Sequence, residues 1–208
     1  MIGIVLYLAV AAAQSSPSQT PGSNANMPAV TSFMGIPIGV PASDLQECPT
    51  KIVGAMPEYK IRGTVMYDYS SGGLPCWTGT SPGQPMGGPL VQVVPKSTNR
   101  PDGTRIVHAY VAGDMIEGVW VATTGIESQE SLFSKLREQF GEPSSVQRVA
   151  IQTMMGMEAT KIKATWNAPN GVTIDFNGVE DKINEGGIYV NTAAGKAAIS
   201  SKIEHKSF

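Results

Sequence analysis

The sequence predicts an α+β fold, a mainly antiparallel sheet with one long and one short helix, and three observations lead there. Polar and apolar residues alternate through several segments spaced as hairpins, which leaves no room for the crossovers that parallel strands need. Turn sequences, among them Asp102-Gly103, Gly113-Asp114 and Pro169-Asn170-Gly171, separate those segments. A single segment, 128–140, has the clear period of an amphipathic helix.

At the start of the chain, Met1 to Ala13 reads as an export signal. The apolar run from Ile2 is long enough for a signal core and too short to span a bilayer. Ala11 and Ala13 fit the small-x-small cleavage rule, with Ala13 and Ser15 as the alternative pair. The segment before the run lacks the usual Lys or Arg, so an uncleaved anchor is the second reading. With cleavage, no transmembrane segment is left and a secreted or periplasmic location is expected. Residues 14–31, rich in Ser, Pro, Asn and Gly, read as a disordered leader. An α+β domain follows over 32–192, and 193–208 forms a tail.

Phe33 to Pro41 is the first ordered signal. Ser43 then caps a helix of at most two turns that carries Leu45 and Cys48 and stops at Pro49. Tyr59 to Tyr69 alternates as a half-buried strand, with Gly63 as a bulge. Ser70 to Pro89 is so dense in Gly and Pro that regular structure is not expected. Strands follow at 90–94, 105–112 and 115–123, the last two closed by Gly113-Asp114. In the long helix Leu132, Phe133, Leu136 and Phe140 share a face, Ser128 is the expected cap, and Gly141 with Pro143 ends it. Strands at 146–153, 159–166, 172–177 and 188–191 complete the sheet. The tail has the composition of a short frayed helix.

Charged residues are only 15% of the chain and the formal charge is −2, so no basic surface is offered to nucleic acid. Cys48 and Cys76 are the only cysteines. In an oxidising compartment an even pair favours a disulfide over two buried thiols, and that bridge tethers the Gly/Pro-rich segment as a loop.

The run from Gly35-Ile36 through Leu45 to Cys48-Pro49 and the run from Gly125-Ile126 through Leu136 to Gly141-Glu142-Pro143 both lead into hairpins. They suggest two degenerate helix-plus-hairpin repeats, 33–123 and 124–192. On Leu136, Phe140, Gly141, Pro143 and Trp166 the chain resembles small exported domains of the SmpA/OmlA (BamE-like) and β-lactamase-inhibitor type. The first copy departs by having Cys48-Pro49 at the corner, and the insertion from Ser70 has no counterpart. The resemblance implies non-catalytic envelope or secreted proteins that bind other proteins through a sheet face and its loops.

Catalytic signals are thin. Gly79-Thr-Ser81-Pro-Gly83 matches a nucleophile elbow by letter, with Asp114 and His205 in the Ser-Asp-His order, but Pro82, Gly83 and Pro85 prevent the helix that the elbow needs. His108 in mid-strand reads as structural. Two histidines and a bridged cysteine pair make a poor metal set, and Met154-Met-Gly-Met157 is read as packing before copper binding. No cofactor is expected. Ala194-Gly-Lys-Ala197 lacks the spacing of a phosphate loop, and Asp175, Glu180, Asp181 and Glu185 read as solvated.

Tyr67, Tyr69 and Trp77 flank the tethered loop, and such residue types concentrate binding energy at interfaces. Trp77 has the alternative of covering the disulfide, whereas Trp120 and Trp166 read as core. The expectation is an exported non-enzymatic protein that binds another protein, or serves envelope assembly, through this loop. A secreted hydrolase with a site assembled from residues distant in sequence is the alternative. It would need a pocket joining His108 to a carboxylate and a hydroxyl.

Overall fold

In the computed structural model, the described residues are 27–55, 62, 64–70, 73–79, 86, 89–152, 156 and 158–204, with side chains described as far as Ile199. The expected export signal and most of the leader fall outside them. Core packing nevertheless begins upstream of Ser32. Met27 and Val30 are buried, and Asn170 holds the Val30 backbone at both its N–H and its carbonyl.

The fold is α+β, and the described residues form mostly antiparallel strands, with one large sheet of nine strands, and two helices. In chain order the strands are β1 (Ser32–Phe33), β2 (Ile36–Pro37), β3 (Val40–Pro41), β4 (Thr50–Val53), β5 (Thr64–Tyr67), β6 (Cys76–Thr78), β7 (Leu90–Val94), β8 (Thr104–Ala112) and β9 (Met115–Thr123). After helix α1 (Gln129–Phe140) come β10 (Ser145–Gln152), β11 (Glu158–Asn167), β12 (Thr173–Asn177), β13 (Gly186–Asn191) and helix α2 (Ala193–Glu204). The large sheet runs β10-β11-β12-β13-β9-β8-β7-β6, and β3 pairs with one end of β9. Because β9 pairs with β13, the sheet is continuous across the boundary between the two suggested repeats.

Alternation along each strand gives the sheet two faces. One face carries Val91, Val107, Ala109, Val119, Val121, Ile162, Trp166, Ile174, Phe176, Ile188 and Val190, all buried. Helix α1 covers it with Leu132, Phe133, Leu136 and Phe140. Phe133 lies 6.0 Å from Trp166 and 6.2 Å from Phe176, and the Trp166 indole donates to the Gly141 carbonyl at 2.9 Å. Below the helix the β1–β2 hairpin seals the core, with Phe33 stacked 6.2 Å from Phe140.

Several local readings change. Leu45 and Cys48 are not helical, because the segment before them is a single 3-10 turn, Ala42–Asp44, that releases an extended chain at Leu45. The chain from Gln46 to Cys48 gives its backbone groups to β6 instead, accepting the Trp77 amide at Gln46 and donating from Cys48 to the Trp77 carbonyl. Ser128 holds the N-cap position of α1, its carbonyl accepting the Leu132 amide, but its side chain makes no cap bond and donates back to the Gly125 carbonyl at 3.4 Å. The Gly/Pro-rich segment contains β6, an edge strand paired with β7, since Cys76-Trp77-Thr78 offers a short uninterrupted set of ladder groups. The tail is a helix of 12 residues, started by the Thr192 hydroxyl, which accepts the Gly195 amide at 3.0 Å. Trp120 points to the second face of the sheet, away from the core around Trp166.

Candidate functional site

Among the described residues, strands β4 and β5 pair only with each other and form a two-stranded ribbon apart from the large sheet. All of β4 and most of β5 are exposed. Register puts Ile52 opposite Val65 and Thr50 opposite Tyr67, so Ile52, Val65 and Tyr67 share one face. Tyr69 extends it, its ring stacked 6.5 Å from that of Tyr67. Ile52 is 64% exposed, and Val65 and Tyr69 are each 51% exposed. Met66, 52% exposed, and Val53 lie on the other face. Among the described residues no apolar layer lies beneath the ribbon, so it gains little by hiding these side chains in its own fold.

The root of the ribbon is firmly held. Cys48 and Cys76 form a disulfide with their Cα atoms 4.8 Å apart. Around it, the Cys48 amide donates to the Trp77 carbonyl and the Trp77 amide to the Gln46 carbonyl, each at 2.9 Å. The Tyr67 hydroxyl donates to Glu47 at 3.0 Å and accepts the Gly79 amide at 2.8 Å. Burial pushes the Tyr67 phenol above its ordinary value, the Gly79 amide pulls it back, and the Glu47 carboxylate raises it further. Asp68 accepts from the hydroxyl and the amide of Ser70 and from Lys51, which hold its carboxyl below the usual range.

The structure therefore joins Tyr67 and Tyr69 by ring stacking, whereas Trp77 is 8% exposed and packs into the core from β6. Ile52 and Val65 are the residues that sequence reasoning missed. The readable signal was the β-branched run Ile52-Val53 facing the alternation of β5, but it becomes a pattern only once register is known.

Elsewhere, His108, Trp120 and Tyr189 line up across β8, β9 and β13 on the second face. The rings are stacked with centroids 5.1 Å and 6.4 Å apart. Burial holds the His108 imidazole below its ordinary range. No carboxylate or hydroxyl hydrogen bond to its ring is found among the described residues, and its Nδ1 has no partner there. Tyr189 donates a short hydrogen bond to Glu180, and burial, then that carboxylate, raises its phenol. Asp175 pairs with Lys196 at 3.0 Å and Glu185 with Lys182 at 2.8 Å. Asp175 and Glu185 are thus partnered while staying partly solvent-exposed. Asp114 sits in the tight β8–β9 turn at φ 61°. Ser81, His205 and Met154 to Met157, apart from Gly156, lie outside the described residues.

Among the described residues no group of three His, Cys, Asp or Glu side chains could hold a metal ion, and no helix is long and apolar enough to cross a membrane. No family model, no curated protein and no solved structure matches the chain.

Proposed function

We propose that this is an exported, non-enzymatic protein that captures an extended segment of another polypeptide on the β4–β5 ribbon. The carrying observation is the stripe of exposed Ile52, Val65 and Tyr69 with half-buried Tyr67 among them, on a ribbon whose root is bound to the large sheet. Strand addition fits it. No other described strand pairs with the ribbon's outer edges, and an incoming strand can pair with them while its alternate side chains cover the stripe. The rigid root lowers the ordering cost of such capture, because the disulfide and the Tyr67 hydrogen bonds set the ribbon's exit from the fold in advance. The disulfide suits an oxidising compartment, which supports a secreted or periplasmic location. The partner is a polypeptide with an apolar, β-branched segment.

Site-specific photo-cross-linking in the native compartment tests this. A photoreactive residue at position 52 or 65 is expected to trap a discrete protein partner, whereas one at Glu138 on α1 is not. Ile52→Ser with Tyr69→Ala should reduce the trapped product at position 65 at least about tenfold, the loss of one or two hot-spot side chains. An unchanged yield with the fold intact refutes the proposal.

A further inference from the structure

Helix α2 crosses the second face of the large sheet and leaves a groove of about 520 Å³ between itself and strands β10 to β13. This volume lies within the range of small-ligand sites. The groove is independent of the ribbon.

From the geometry of its lining we infer that this groove is a binding site for a short saccharide. The row of rings His108-Trp120-Tyr189 ends here, with Tyr189 the aromatic wall of the groove. The Tyr189 ring lies over Gly187, where a Cβ would come within 2.8 Å of it, and Gly187 pairs with Asn177 on β12. An aromatic wall therefore stands beside an amide. A pyranose presents an apolar C–H face and a rim of hydroxyls, and the aromatic face suits the first. Each hydroxyl both donates and accepts. The amides of Asn177 and Gln147 do likewise, Asp175 accepts and Lys163 donates.

These groups are placed in two ways that favour a ligand. Asp175 and Tyr189 are fixed, the first by Thr165 at 2.8 Å and Lys196 at 3.0 Å, the second by Glu180. Asn177, Gln147 and Lys163, by contrast, make no side-chain hydrogen bond among the described residues and retain their full capacity for a ligand. Other ligand classes fit less well. With Lys196 neutralised by Asp175, Lys163 is, among the described residues, the uncompensated cation of the lining, too little for a phosphate that favours several charge-assisted donors. A wholly apolar ligand would strip water from amides and charges without replacing it.

The test is titration of the intact protein with cellobiose, maltose and N,N′-diacetylchitobiose, followed by saturation-transfer NMR and by tryptophan fluorescence, which Trp120 beside Tyr189 reports. Saturable binding of at least one, at about 1 mM or tighter, is expected. Asn177→Ala and Tyr189→Ala should each weaken it at least about tenfold, whereas Tyr189→Phe keeps the ring and should retain binding. If Tyr189→Ala does not fold, Asn177→Ala and Gln147→Ala carry the test on the groove's polar wall. No saturable binding up to about 20 mM, or binding that those variants leave unchanged, overturns the site.

Discussion

A single imidazole makes the acid response of this protein testable. Burial holds the His108 ring below its ordinary range, so the folded state resists the proton that the unfolded chain accepts near about pH 6.5. Above that pH both states carry the neutral ring and its contribution to stability is fully present. As pH falls below it, the unfolded chain binds the proton first and stability declines until the depressed folded value is passed. Urea midpoints measured between about pH 7.5 and pH 5 should therefore fall less steeply for His108→Gln than for the natural chain. Equal slopes would show that His108 titrates alike in both states. Gly125 is a second sensitive residue, for a different reason. Its φ is +66°, and a Cβ there would stand 2.3 Å from the Ile183 carbonyl. Gly125→Ala combines a left-handed backbone with a clash against main chain that has nowhere to move, and should lower the unfolding free energy by about 3 kcal/mol. Denaturant unfolding measures it.

Among the elements, α1 is anchored by more than its apolar face. Buried Gln129, in its first turn, donates to the Thr160 carbonyl at 2.6 Å and accepts the Ile162 amide at 3.1 Å. Strand β12 ends too early to satisfy these two backbone groups of β11, so the side-chain amide takes the place of another strand residue. Gln129→Leu leaves both without partners and should cost about 2–4 kcal/mol in chemical denaturation, more than any exposed position of the same helix. At the other end of the fold, the Cys48–Cys76 bridge spans 28 residues. Loop-closure entropy assigns it about 3.5 kcal/mol, which the double variant Cys48→Ala/Cys76→Ala should lose. The elements differ in how legible they were. Helix α1 and strands β7 to β13 were readable because each carries its own period and its own turn chemistry, as at Gly113-Asp114 and Pro169-Asn170-Gly171. Helix α2 was understated because its Ala and Ser content hid the Thr192 cap, and Gln129 read as one more polar residue at a helix start. Of the candidate site, Tyr67, Tyr69 and the disulfide were legible; the stripe that joins the tyrosines to Ile52 and Val65 depends on a register that no short motif encodes.

At the scale of the whole molecule, long-range pairings carry the architecture, and these have the weakest signature in sequence. The β9–β13 ladder joins residues 118–123 to 186–191, and Asn170 reaches Val30 across 140 positions. Hairpin turns explain neighbouring strands, but nothing local tells β13 to settle beside β9. What dictates it is burial, because only that order places Val119, Val121, Ile188 and Val190 side by side under α1. The outcome is an uneven distribution of stability. Strands β9 and β13 lie at the middle of the large sheet, with α1 on one face and α2 against the other, so their amides open only when the sheet comes apart. Ribbon β4–β5 has exposed side chains, two strands and, among the described residues, no covering layer, and its pairing can open without disturbing the core. Native-state hydrogen exchange should therefore separate two levels: amides of Val119, Val121, Ile188 and Val190 exchanging with the free energy of global unfolding, and those paired in the ribbon exchanging several kcal/mol more easily. Breaking the disulfide should lower the global value and leave the order unchanged. Strand addition by a partner would raise the ribbon amides selectively, because it supplies the third strand and the apolar cover that the ribbon lacks. Ribbon amides as protected as β9 in the free protein would mean that the ribbon already has a covering surface and no need of a partner's.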